Sequence, residues 1–236
     1  MSMTCFHFQR PAATLGRDVA RTAVALMTTL GVAAMCWVIA VQQMPGMDMG
    51  AATTLGSFES FAQSWTSMMV AMMLPGAVPA LLRRTHSAGV TAAALFAVSY
   101  LAVWTAVGTA VYWLCRPHGT VAAGVVMLPA GVYELTPIKG YFRLKCRDGT
   151  GSGFVFGLNC VGSSVGLMAM LVGLGIMNVP WMAAITVVVL GQKLLPAKVT
   201  IDVPLALALI GLGFAILAAP ASIPGLLSAA RHMPVR

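Results

Sequence analysis

Residues 65–82 read "WTSMMVAMMLPGAVPALL", an uncharged run that stops at Arg83-Arg84. A surface helix of a soluble protein keeps a polar face opposite its apolar stripe. This run has no such face. At about 1.5 Å per residue it reaches close to the roughly 30 Å of a bilayer's hydrocarbon. It also places Met68 and Met72, and Met69 and Met73, at i,i+4 on shared faces, with Pro75 and Pro79 just below. These prolines are expected to free the carbonyls of Ala71 and Pro75 and to bend the helix. Methionine is a pliable filler of the gap that a bend leaves, and it is also a soft thioether ligand.

The surrounding chain is of the same character. Of its 236 residues 59% are hydrophobic and 8% charged, against about 25% charged in soluble domains. An integral membrane protein is indicated. Apolar runs fall at about Thr22–Val41, Trp65–Leu82, Gly89–Leu114, Val121–Ile138, Gly153–Met177, Pro180–Leu195 and Val203–Ala219. Backbone groups in lipid must bond internally, so the expected fold is all-α, a polytopic transmembrane bundle of about seven spans. The expected organisation is a cytoplasmic segment over 1–21, a helical membrane domain over 22–219 and a short tail over 220–236. The first run exceeds a signal peptide's apolar core of about 7–15 residues and lacks a cleavage pattern, so it reads as a retained span.

With the N-terminus in the cytoplasm, Arg10, Arg17, Arg21, Arg83, Arg84, Lys139, Arg143, Lys145, Arg147, Lys193 and Lys198 lie inside. Only Arg116, Arg231 and Arg236 lie outside. This bias sets the orientation. The net charge of +8 is therefore loop charge facing the cytoplasm, and no motif for nucleic acid accompanies it. Trp65, Trp104, Trp113 and Trp181 fall near the outer ends of spans, where interfacial tryptophans are expected.

Soft-metal ligands recur along the chain. The outer loop "QQMPGMDMG" sets Met44, Met47 and Met49 around Asp48, and thioethers bind Cu(I) without deprotonation. Interfacial packing is the plain alternative for them. Glu134, in "GVYELTPIKG", is a carboxylate at membrane depth and a functional candidate by that placement. Otherwise it is a charge paired with Lys139 or another loop cation. Cys146 stands among basic residues in "KGYFRLKCRDG", surroundings that favour thiolate. Cys160, Ser164 and Met168 share a helix face in "GLNCVGSSVGLM". Five widely spaced cysteines with no CxxC pair argue against a disulfide framework or a zinc ribbon. The histidines His7, His86, His118 and His232 fall in loops or termini, and no paired-histidine redox pattern points to an enzyme.

In chain order, "AMMLPGAVP", "YELTPIKGYFRLKCR", "GLNCVGSSVGLM" and "GIMNVPWMAAITVVVLGQKLLP", with the outer "MPGMDMG", resemble the DUF2182 family of predicted metal-binding integral membrane proteins. The resemblance covers roughly residues 20–220, and Asn159 to Pro196 is its most specific block. It implies a bacterial helical membrane protein with a metal site. By motif, Met72, Met73, Glu134, Cys146, Cys160, Met177, Asn178 and Gln192 occupy family-typical positions. Three positions depart from the pattern: Gly162-Ser163-Ser164 replaces Gly-Cys-Cys, Gln192 replaces Glu, and Glu134 replaces Gln. Glu134 is thus a candidate to restore the charge missing at position 192.

The expectation is a multi-pass protein of the bacterial inner membrane, with a cytoplasmic N-terminus. It would handle copper or a similar soft metal through Met47, Met49, Met72, Met73, Glu134, Cys146 and Cys160. A membrane cuproenzyme or another membrane complex would be its partner. The other reading is an accessory or structural subunit of a membrane complex with a degenerate metal site.

Overall fold

The computed structural model describes residues 12–43, 57–114, 120–149, 151–174, 179–195 and 202–219. Among them every regular element is helical: α1 (Ala12–Gln43), α2 (Phe58–Leu114), α3 (Thr120–Glu134), α4 (Pro137–Asp148), α5 (Gly153–Leu174), α6 (Val179–Leu194) and α7 (Asp202–Ala218). Three helical stretches are long and apolar enough to cross a membrane: Val19–Gln43, Phe58–Leu114 and Gly153–Leu174. The apolar helices Ala123–Glu134, Val179–Leu194 and Asp202–Ala218 are shorter.

α2 consists of two arms broken at Gly89, whose φ of 86° and ψ of 176° suit a residue without Cβ. The break falls where the sequence separates its second and third apolar runs. It does not fall at the prolines: the backbone stays helical through Pro75 and Pro79. The first arm is the centre of the molecule, with Met68, Met69, Met72 and Met73 all buried.

Glycines set how closely the other helices approach. A Cβ on Gly124 would stand 2.7 Å from Leu217 Cγ, and one on Gly131 would stand 3.1 Å from the Ala206 carbonyl oxygen. These two positions bring α3 against α7, as small residues do in membrane bundles. On α5 the tightest point is Gly153, where a Cβ would lie 2.1 Å from the Phe96 carbonyl oxygen. Backbone cannot swing aside as a side chain can. Gly153→Ala is therefore expected to destabilise the protein by roughly 1–3 kcal/mol through overpacking. Gly140→Ala, at a position with open space, should be neutral. Thermal unfolding of the two variants in detergent checks this; equal midpoints would show that α5 has slack.

Two tryptophans leave the expected interfacial belt. Trp65 and Trp104 are both buried, and Trp65 Nε1 donates to the Trp104 carbonyl oxygen at 2.9 Å. Gly108 makes the space: a Cβ there would lie 2.3 Å from Trp65 Cδ1. Trp113, 70% exposed, stays at a helix end beside Phe58 and Tyr112.

The stretch 139–148, read from the sequence as a cytoplasmic loop, is a capped helix instead. Thr136 is its N-cap and accepts from Lys139 N, Pro137 occupies the first turn, and Gly149 closes the end with a left-handed φ of 59°. Each is the residue type that such a position favours. Lys139, Arg143 and Cys146 form its buried stripe at i, i+4 and i+7, while Ile138, Tyr141 and Leu144 are exposed. The polar face of α4 points inward.

Candidate metal centre

Two adjoining clusters form, one where α4, α5 and α6 approach the arms of α2, the other among α3, α4, α6 and α7. The first is made of sulfur. Cys160, on α5, is fully buried, and its Sγ lies 2.8 Å from Lys193 Nζ and 3.3 Å from the Tyr100 hydroxyl. Lys193 also approaches Met73 Sδ, at 3.9 Å. Cys146, buried on α4, completes the group from the wall of the cavity that Lys193 also lines.

The amino-acid pattern of α2 explains how a lysine reaches this depth. A Cβ on Gly76 would lie 2.6 Å from Lys193 Cδ, so glycine in "MMLPGAVP" leaves the channel through which the lysine stem passes. Tyr100 is fixed in turn by donating to the Met73 carbonyl oxygen at 3.3 Å. One thiol and one thioether thus face one ammonium, and a second thiol, Cys146, shares the cavity wall with it.

The basic environment expected to favour thiolate at Cys146 does not act as the sequence implied. Its thiol is raised above the ordinary value, because it donates to Cys160 and is buried. Of the neighbouring cations of α4, Lys145 lies over the Tyr141 ring, and Arg143 is paired with Asp202.

The second cluster is ionic. Lys139 Nζ pairs with Glu134 Oε2, and with Asp202 Oδ1 at 2.9 Å. Arg143 Nη1 pairs with Asp202 Oδ2 at 2.5 Å, and Arg143 Nε donates to the Gln192 carbonyl oxygen at 3.0 Å. Gln192 Nε2 donates to Asp202 Oδ1 at 3.0 Å and to Glu134 Oε2 at 3.3 Å. Glu134 fits against α5 because position 166 is glycine, where a Cβ would lie 2.7 Å from Glu134 Oε1. Glu134 and Gln192, the two positions at which the family pattern is exchanged, therefore touch. Both carboxylates are matched by cations, as buried charges require.

Between the two clusters a cavity of about 210 Å³ opens among α2, α4, α5 and α6, with Cys146, Ser163, Ser164, Gln192 and Lys193 in its wall. Among the described residues no three His, Cys, Asp or Glu side chains gather as a metal set. The sulfur group has two cysteines, and its third sulfur belongs to methionine.

Of the residues singled out from the sequence, Met73, Cys146 and Cys160 come together. Met72 is buried beside them in the core, and Glu134 belongs to the ionic cluster. Met47 and Met49, with Met44, Met177 and Asn178, lie outside the described residues. Sequence reasoning passed over Lys193, Tyr100 and Asp202. Lys193 carried little signal, because a lysine in the last turn of an apolar helix is expected to reach out to the interface.

A family model described as a copper chaperone, PpoB2, matches residues 62–216. The chain belongs to that family. The matched stretch runs from the first arm of α2 into α7 and contains both clusters. It leaves out α1 and the outer methionine loop. The family is copper-related and is not DUF2182 by name. No curated protein and no solved structure matches the chain. A copper-handling role in general follows from the family.

Proposed function

We propose that the protein is a membrane-embedded carrier of Cu(I), which binds its cargo between Cys160, Cys146 and Met73. The observation that carries this reading is the convergence of the Cys160 thiol and the Met73 thioether on the Lys193 ammonium, with the Cys146 thiol in the wall of the same cavity as that lysine. Cu(I) prefers soft sulfur donors. Two thiolates, one Cu(I) and one ammonium sum to zero charge, which a dry interior tolerates better than a bare ion. Lys193 balances the donors while the cargo is absent. The DUF2182 resemblance fits this placement: Ser163 and Ser164, where that pattern has two cysteines, line the same cavity.

Seven crossings are proposed: α1, the two arms of α2, α3, α5, α6 and α7. α4 then lies along the cytoplasmic interface, its apolar residues toward lipid. The clustering of cations supports the direction. Arg83 Nη2 reaches the Arg147 carbonyl oxygen at 3.1 Å, and Thr22 meets His86 at 2.9 Å. The basic residues before the break of α2 therefore lie against the end of α4, and the first turns of α1 lie beside them. By the positive-inside bias this end is cytoplasmic in the bacterial inner membrane. Copper gathered there is passed on within the membrane, with a membrane cuproenzyme as recipient.

Elemental analysis of the detergent-purified protein, after growth with copper, zinc and iron supplied, tests this. One copper per chain in a sulfur-only X-ray absorption shell is the expected result. Metal-free protein holding a stoichiometric partner would instead establish the accessory-subunit reading.

A further inference from the structure

The cavity beside Cys146 has a chemistry that the bound ion alone does not call for. Arg83, Arg143, Arg147 and Lys193 line it, and no carboxylate does. Arg143 is more than nine-tenths buried, and its Nη2 has no hydrogen-bond partner. Its other nitrogens are held by Asp202 and the Gln192 carbonyl oxygen. A buried guanidinium nitrogen without a partner leaves the positive charge of Arg143 only partly matched, and this adds to the charge of Arg83, Arg147 and Lys193 around the cavity. A cation cargo gains nothing from three arginines at its mouth; like charges repel it. An anion gains a great deal, and arginine forks match carboxylates.

We infer that this cavity binds a small anionic thiol carrying Cu(I), its carboxylates on the arginines and its sulfur toward Cys146. The inference rests on the copper-carrier reading and names the form in which the cargo arrives. A volume of about 210 Å³ admits a short peptide thiol and excludes a folded domain. The cytosol supplies such molecules, glutathione being its principal thiol buffer. In the exchange, the bond from copper to the incoming sulfur breaks as a bond to Cys146 Sγ forms. The proton leaving Cys146 goes to the departing thiolate, and copper remains Cu(I) throughout.

The test uses the full chain in lipid nanodiscs. S-methylglutathione keeps the carboxylates and cannot carry copper through a thiolate. It should bind the copper-free protein, and Arg83→Gln with Arg147→Gln should weaken that binding about tenfold. The corresponding Arg→Lys pair should retain most of it. Cu(I) transfer from glutathione should slow by a similar factor in the Gln pair, while transfer from uncharged 2-mercaptoethanol continues at its wild-type rate. S-methylglutathione binding equally to both proteins, or to neither, overturns the inference. So does an equal slowing of both donors. Failure of either donor to load wild-type protein strikes the copper-carrier reading instead, and S-methylglutathione binding still decides the cavity.

Discussion

Cys160→Ser should lower Cu(I) affinity by about a hundredfold or more, with the protein still folded. The magnitude follows from the donor. Removing a hydrogen-bond partner behind a ligand already costs roughly 10–100-fold in metal affinity. Removing the ligand sulfur costs at least as much, because a hydroxyl is a poor donor for a soft ion. The fold should survive: serine is nearly isosteric and can still meet the Lys193 ammonium and the Tyr100 hydroxyl that now contact Cys160. Cys146→Ser should act in the same direction, and the double variant should hold no measurable copper. Met73→Leu keeps the apolar bulk and removes only a neutral donor, so its loss should be smaller, about tenfold. Competition against a coloured Cu(I) chelator measures all four. Wild-type affinity in a folded Cys160→Ser protein would remove the sulfur cluster from copper handling.

The apolar runs of the sequence placed every helix but one, because these helices are hydrophobic along most of their length. α4 was missed for the opposite reason. Its charged stripe faces inward and its apolar residues outward, so "PIKGYFRLKCRD" reads as a basic loop. The local signals were nevertheless present in Thr136, Pro137 and Gly149, a helix start and stop in order. The candidate site was half legible. Soft ligands can be picked out by residue type, and Met73, Cys146 and Cys160 were. Which of them converge depends on helix rotation and close approach. Those are set by Gly76 under the Lys193 stem, and no periodicity reports it. Trp65 and Trp104 failed similarly: an outer-end position along the span says nothing about which side of the helix faces lipid.

Lys139→Met should be the most damaging change in the ionic cluster, and it separates structure from copper binding. Lys139 is almost fully buried and touches both carboxylates. Without it Asp202 keeps Arg143 and Gln192, while Glu134 keeps only the Gln192 amide. Removing one member of a buried pair costs roughly 3–5 kcal/mol, since the other charge is left uncompensated. At about 2–4 °C per kcal/mol for a chain of this size, the unfolding midpoint should fall by about 10 °C or more. Glu134→Gln alone should be mild, because Lys139 keeps Asp202 and the amide can still meet Gln192. Adding Glu134→Gln to Lys139→Met should recover most of the loss, as Asp202 then remains matched by Arg143. A double-mutant cycle read by thermal unfolding isolates this coupling. Copper content gives the second reading of the same variants. If Glu134 serves the ion pair, folded Glu134→Gln protein keeps its copper, and Gln192→Glu added to it leaves the copper content unchanged. If folded Glu134→Gln loses copper and Gln192→Glu restores it, the carboxylate is a ligand that has moved between two touching positions, and the ion pair is secondary.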